Sequence, residues 1–179
     1  KKNYKITANN YNETIIRLSG EVELENSASG HVECQIIRSE NGRIIGFTNR
    51  DEIGDPKLKT EIKDSILYIS LEERPELYVI GVSTYSENLT FRIKIPANIS
   101  VKIKNQGDNY INGNFKNLWL DSNGKTEIIL VKEKIKSLEC LSTVSKIRFN
   151  GVRKGTNIIY ECSGYENYAV RSSALEITL

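Results

Sequence analysis

An all-β domain is what this sequence predicts, and three observations carry the prediction. Apolar and polar residues alternate with a period of two in segment after segment, tight-turn dipeptides separate those segments, and no long stretch carries a 3.6-residue apolar stripe. The 179 residues, 39% hydrophobic and 27% charged, suffice for one domain with its own core, so 1–179 is read as a single domain. The chain is rich in Ile, Val, Thr and Tyr, which favour pleated surfaces.

The alternation is clearest in "ILYISL", where Leu67, Ile69 and Leu71 share a face. It recurs in "FRIKIP" with Phe91, Ile93 and Ile95, and in "ISVKIK" with Ile99, Val101 and Ile103. Further strands are predicted over 14–18, 32–37, 43–47, 77–82, 118–120, 127–131, 135–141, 146–149, 158–162 and 168–171. Asn41-Gly42, Asn112-Gly113, Asn123-Gly124 and Asn150-Gly151 mark turns, because Asn-Gly accepts positive φ at little cost. The best helical pattern, 55–63, is short and contains Pro56, so a loop or single turn is predicted there. Pro96 has no N–H for a ladder, which places Pro96-Ala97-Asn98 at a corner between two alternating strands.

From about residue 105 the chain aligns with itself at a shift of 20. Leu118, Leu138 and Ile158 then coincide, as do Leu120, Cys140 and Tyr160, and Phe115 falls on Ile135. A second set joins Ile128, Phe149 and Tyr168 or Val170 at a similar spacing. Such a period predicts a β-solenoid of roughly 20-residue coils, in which equivalent side chains stack. An antiparallel sandwich or meander is the alternative, because the two sets also lie about ten residues apart and Asn-Gly turns suit hairpins.

Charge and termini narrow the function class. With 25 Lys and Arg against 23 Asp and Glu, the net charge of +2 provides no field to gather nucleic acid, so no nucleic-acid partner is predicted. Apolar runs such as Ile128-Ile129-Leu130-Val131 are far below the roughly 20 residues of a spanning helix, so no transmembrane segment is predicted. The chain has no Met and opens Lys1-Lys2-Asn3, which predicts a trimmed product whose leader has been removed. Cys34, Cys140 and Cys162 lack close metal-ligand spacing; buried thiols are expected, with a Cys140–Cys162 bridge as the rival arrangement.

The run "GDPKLKTEIKDSILYISLEE", followed by "NLTFRIKIPANISVKIKNQGDNYINGNFKNLWLDSNGKTEIILV", resembles the putative adhesin family of bacterial surface proteins, including those with the head GIN domain. The resemblance is best over 55–150, and "IKIPANISVKI" is its most specific element. It implies a right-handed parallel β-helix in an exported bacterial protein, at the cell surface or in the periplasm, with lipid anchoring through a removed leader as one route. It supplies no catalytic residues. After Gly107 the sequence departs from the family pattern, with bulkier, Lys-rich segments in place of Gly-Asp-Val and Ser-Gly repeats.

Chemistry-bearing residues are sparse. His31 is the only histidine and sits beside Gly30 in a predicted turn; nothing near it in sequence supports a nucleophile–base pair, and one His with three scattered Cys gives no recognisable zinc set. Asp51-Glu52, Glu72-Glu73 and Asp121 lack calcium-loop spacing, and no phosphate-binding glycine motif is present. No metal or cofactor is therefore predicted. Trp119 lies between Leu118 and Leu120, so alternation turns the only tryptophan outward, with Tyr110, Tyr165 and Tyr168 on nearby segments. Trp119, Tyr110 and Tyr165 are the candidate binding residues. The expected function is a non-enzymatic surface protein that binds a cell-surface glycan or protein. The alternatives are self-assembly through terminal strand edges, including "SALEITL", or a polysaccharide-processing enzyme with a groove of charged residues.

Overall fold

The computed structural model describes residues 1–6, 11–97, 99–113, 115–122, 124–131, 137–141, 144–150, 157–161 and 175–178. In chain order its first elements are β1 (Lys2–Ile6), β2 (Glu13–Ser19), β3 (Glu21–Ser27), β4 (Val32–Asn41), β5 (Ile44–Thr48) and a single helical turn α1 (Arg50–Ile53). There follow β6 (Leu58–Lys63), β7 (Ile66–Leu71), β8 (Val79–Ser83), β9 (Ser86–Pro96), β10 (Ser100–Gln106) and β11 (Asn109–Asn112). The last are β12 (Asn117–Ser122), β13 (Lys125–Val131), β14 (Ser137–Leu141), β15 (Val144–Asn150), β16 (Asn157–Glu161) and β17 (Leu175–Thr178).

These strands form an eight-stranded sheet in the order β1-β4-β9-β3-β11-β13-β15-β17, a seven-stranded sheet in the order β16-β14-β12-β10-β2-β7-β6, and a separate β5·β8 pair. Alternation dictates the core. Val22 and Leu24, Phe91, Ile93 and Ile95, and Ile111 point inward from one sheet, while Ile16, Leu67 and Ile69, Val101 and Ile103, and Leu118 and Leu120 point inward from the other. They form one buried apolar cluster. Phe115, between β11 and β12, is fully buried in it.

The all-β expectation holds, and the predicted architecture is corrected. A right-handed β-helix would stack its coils in chain order; here β2 and β3 are inserted between β7 or β9 and the later strands, and the sheets are mixed. Strand β4 runs antiparallel to β1 and β9, and β6 antiparallel to β7. The antiparallel sandwich or meander is corrected as well, because β2, β3, β10, β11 and β12 have parallel neighbours. The physical reason lies in the turns. From β2 to β3, β10 to β11 and β12 to β13 the chain crosses to the other sheet instead of doubling back, so neighbours in a sheet come from separate passes.

Several local expectations survive within that architecture. The 20-residue spacing is a register: Leu118 pairs with Leu138 and Leu138 with Ile158, while Leu120 pairs with Cys140 and Cys140 with Tyr160. The second set is corrected, since Ile128 stands opposite Ile147, and Ile147 opposite Ile177. Pro96 ends β9 and the chain changes sheet before β10, as a ladder-breaking corner should. The predicted loop at 55–63 is instead largely strand β6, an edge strand whose Lys59, Glu61 and Lys63 blunt the sheet's open side. Of the terminal "SALEITL", Leu175–Thr178 pair within the chain, as β17 beside β15.

The crossings share one design. The segments Leu18-Ser19-Gly20-Glu21-Val22 and Asn105-Gln106-Gly107-Asp108-Asn109 stand side by side, with Asn105 in register with Leu18 and Asn109 with Val22. Where the first crossing is apolar, the second buries amides. Asn105 Nδ2 donates to Gly20 O at 2.9 Å and to Asn109 Oδ1 at 2.9 Å. Asn109 Nδ2 donates to Ser122 Oγ at 2.7 Å and Gly107 O at 3.0 Å, and Ser122 Oγ donates to Gly107 O at 2.8 Å. These bonds satisfy turn carbonyls that neither sheet ladder reaches.

Cys34 is a buried free thiol on β4, and burial pushes its pKa up to about 12. Cys140 lies on β14 opposite Tyr160. Cys162, and with it the expected bridge, lies outside the described residues, as do Ile135, Tyr165, Tyr168 and the strand expected at 168–171.

Candidate functional site

The outward faces of the two sheets carry the candidate residues. On β3 the sequence Glu21-Val22-Glu23-Leu24-Glu25 buries its two aliphatic residues and turns its three carboxylates out. On β11 the same rule buries Asn109 and Ile111 and turns out Tyr110 and Asn112. Parallel registry then sets Tyr110 between Glu23 on one side and Glu127 of β13 on the other, with Asn112 between Glu25 and Ile129. Adjacent strands lie about 4.8 Å apart, so the tyrosine ring has a carboxylate-bearing neighbour on each flank. Together these side chains line an open groove of about 440 Å³.

Its lining is acidic, with Lys94 of β9 in register with Glu25 and Lys146 of β15 with Glu127 at its margins. Arg92 of β9 meets Glu23 through Nε at 2.7 Å, leaving Glu21, Glu25 and Glu127 around the ring. The Tyr110 phenol is held above its usual pKa, first by burial and then by the carboxylates of Asp108, Glu21, Glu127 and Glu23. The ring is 43% exposed. An exposed aromatic face flanked by hydrogen-bond acceptors can stack on an apolar ligand face while the carboxylates accept bonds from its hydroxyl or ammonium groups. Among the described residues no group of three or more His, Cys, Asp or Glu is placed to hold a metal ion.

Trp119 is elsewhere. It lies half-buried on β12, on the outward face of the seven-stranded sheet, in register with Lys102, and Lys102 is in register with Ile15. Lys102 Nζ reaches Glu13 Oε1 at 2.7 Å on that face. Tyr110 and Trp119 therefore belong to opposite sheets, and the structure does not bring them together. His31 stands in the turn before β4, where its backbone N–H reaches Ser29 Oγ at 3.4 Å.

A solved structure shares this architecture: a "putative cell adhesion protein" from Clostridium sporogenes matches with a TM-score of 0.56 at 17% identity, over 83% of this chain and 71% of that one. The two share a fold. Two "putative adhesin" structures also match, from Bacteroides fragilis at 14% identity and TM-score 0.29, and from Parabacteroides merdae at 10% and 0.28. Each covers 99% of this chain, and the chain covers 93% and 96% of theirs. No family model matches the sequence, and no curated protein matches it.

Of this groove the sequence singles out Tyr110 but not the carboxylates that give its surroundings their character. The signal was present in "EVELE", whose alternation turns three glutamates to one face, but the sequence does not say that β3 lies beside β11.

A second polar cluster joins β4 and β9 to the segment that follows α1. Arg38 contacts Glu40, Glu87 at 2.5 Å and Asp55 at 3.2 Å; Lys2 reaches Asp55 at 3.2 Å; Arg74 grips Glu87 at 2.6 and 3.2 Å. Arg50 pairs with Glu40 and lies 4.8 Å over the Tyr85 ring, whose hydroxyl donates to Glu40 at 2.9 Å. Glu40 is held below its ordinary pKa by the hydrogen bonds of Arg50 and Tyr85, and Asp55 below its own by Lys2 and then Arg38. Both lowered values place their stabilisation above the ordinary carboxylate range, to be lost as pH falls through the folded values. Amide exchange over 49–57, corrected for intrinsic rate, is expected to accelerate below about pH 4, more than it does in the β10–β12 ladder. Equal acceleration in both regions would show that these ion pairs do not tie the segment down.

Proposed function

We propose that the chain is a non-enzymatic adhesion protein, exported to a bacterial surface, and that it binds a neutral or amino-sugar glycan in the Tyr110 groove. The observation that carries the reading is the exposed Tyr110 ring held between Glu23 and Glu127 on a parallel ladder. A sugar ring presents C–H groups that stack on an aromatic face and hydroxyls that donate to carboxylates. The acidic surroundings select against sialylated, uronic or sulfated glycans, whose charges would be repelled, and favour amino sugars. Placement on three strands of a continuous sheet keeps the groups pre-organised, which lowers the entropy lost on binding. The Clostridium sporogenes protein that shares the fold is itself described as a cell adhesion protein, which agrees with this role.

A glycan array probed with the wild-type chain and with Tyr110→Ala tests it. Retention of neutral or amino-sugar glycans, weakened about tenfold by Tyr110→Ala and much less by Tyr110→Phe, is the expected result. Trp119→Ala, on the opposite sheet, is expected to bind as wild type does. Absence of glycan retention, or a loss confined to Trp119→Ala, removes the groove from consideration. Release of cleaved sugar from a retained glycan would overturn the non-enzymatic reading.

A further inference from the structure

The β5·β8 ribbon is the most apolar exposed feature among the described residues. It continues the antiparallel β4·β9 pair beyond Asn41 and Ser86, and neither of its strands has another ladder partner among the described residues. Registry sets Ile45 opposite Val82 and Phe47 opposite Ile80, so all four side chains share one face. They are 70%, 68%, 79% and 55% exposed, respectively. The exposed apolar surface is on the order of 500 Å², near the upper end for the largest patch on a monomer. With Leu77 and Tyr78 beside it, it approaches the roughly 800 Å² that each partner contributes to a standard interface.

The ribbon is also firmly shaped. Gly46 and Gly81 face each other at its centre, with φ of +135° and +139°. A Cβ on Gly46 would fall 2.0 Å from Ile80 O, and one on Gly81 2.1 Å from Ile45 O. Only glycine permits this close crossing. At the far end Asn49 clamps the two strands, accepting from Tyr78 N–H at 2.7 Å and donating to Glu76 O at 2.9 Å.

Charge around the patch identifies the occupant. Arg43 stands at one end of the ribbon; Asp51, Glu52 and Glu76 stand at the other. All four are exposed, and none forms an ion pair with another described residue. An anionic membrane would be repelled by the acidic end. A second ribbon laid across the first in the opposite direction sets each basic end against an acidic one while the apolar faces meet. We infer that two copies of this chain associate through the β5·β8 ribbon, face to face and antiparallel, about a twofold axis. Such an isologous contact closes on itself and uses none of the residues that line the Tyr110 groove.

Sedimentation velocity from about 1 μM to about 1 mM tests the inference, and the expected result is a monomer–dimer equilibrium within that range. Phe47→Ser is expected to raise the dissociation constant about a hundredfold, since each loss occurs twice across a symmetric contact. Arg43→Glu is expected to weaken it several-fold. A mixture of the Arg43→Glu chain with a Glu52→Arg/Glu76→Arg chain is expected to form a heterodimer tighter than either homodimer. All these side chains are exposed, so unchanged circular dichroism, and an unchanged melting temperature at concentrations where the wild type is monomeric, should accompany the loss. A chain that stays monomeric throughout the range, whether or not it floats with phosphatidylglycerol vesicles, overturns the inference. So does a dimer indifferent to Phe47→Ser. Neither outcome bears on glycan binding at Tyr110.

Discussion

Gly107→Ala is expected to lower the unfolding free energy by about 3 kcal/mol or more, because two independent penalties meet at this position. Its φ of +153° lies in a region that L side chains rarely adopt, and an added Cβ would stand 2.2 Å from the carbonyl oxygen of Gly20 in the neighbouring crossing. Neither side can yield easily. Gly20 has φ of +146°, and its own Cβ position is blocked by Leu89 O at 2.4 Å, while a Cβ on Gly124 would meet Gly107 at 2.2 Å. Displacing one glycine therefore displaces a stack of three turns. Thermal melting should show a fall of about 6–12 °C for a chain of this size. Gly30→Ala is the control: φ is +70° there, but nothing lies within 4 Å of the new methyl group, so about 1 kcal/mol is expected. If the two substitutions cost the same, backbone conformation alone matters and the stacked turns contribute nothing.

Asn109→Ala is expected to cost about 3 kcal/mol through the same corner of the fold. Asn109 is the middle of the buried chain of bonds, accepting from Asn105 and donating to Ser122 and Gly107. Truncation removes one bond each from Asn105 and Ser122, at sites that are 3% and 4% exposed, together with the bond to the Gly107 carbonyl. A double-mutant cycle isolates the effect. Ser122→Ala should cost much less in the Asn109→Ala background than alone, and strict additivity would show that the two side chains do not act together. The neighbouring crossing supplies a further comparison, since Leu18 and Val22 fill the positions of Asn105 and Asn109 with apolar groups. Replacing Asn105 and Asn109 together by Leu and Val is nevertheless expected to cost more than Asn109→Ala alone, because the donor to the Gly20 carbonyl is lost as well.

Much of the local structure was legible. The segments "ILYISL", "FRIKIP" and "ISVKIK" are strands with the predicted inward faces, because burial on one side of a pleated strand imposes a period of two on the sequence. Pro96 marks a change of sheet because it cannot donate to a ladder. The spacing of 20 residues recovered the register of β12, β14 and β16. Strand β6 was missed because its exposed face is nearly continuous and Leu58 is its only buried residue, which leaves little periodic signal. The misassigned partners of Ile128 came from assuming equal passes, whereas Ile147 and Ile177 are separated by a longer excursion.

The candidate surfaces divide along the same line. Alternation alone turned Tyr110 and Trp119 outward, and both side chains do point away from the core. It carried no information about which sheet each strand joins, so the two were grouped although they lie on opposite sheets. The exposed apolar face of β5·β8 was equally hidden, since "RIIGFT" and "LYVIGVST" read as ordinary strands until, among the described residues, each is seen to pair with the other alone.

By itself, then, the sequence determined strand positions, inward faces, turn sites and the all-β class, all of which depend on neighbours a few residues apart. The order of the strands, the insertion of β2 and β3, the mixture of parallel and antiparallel pairing, and the meeting of Tyr110 with Glu23 and Glu127 were decided by tertiary structure. Alternating strands with one apolar face are locally interchangeable as partners. Only closing the shared core and stacking the glycine crossings selects which strand lies beside which.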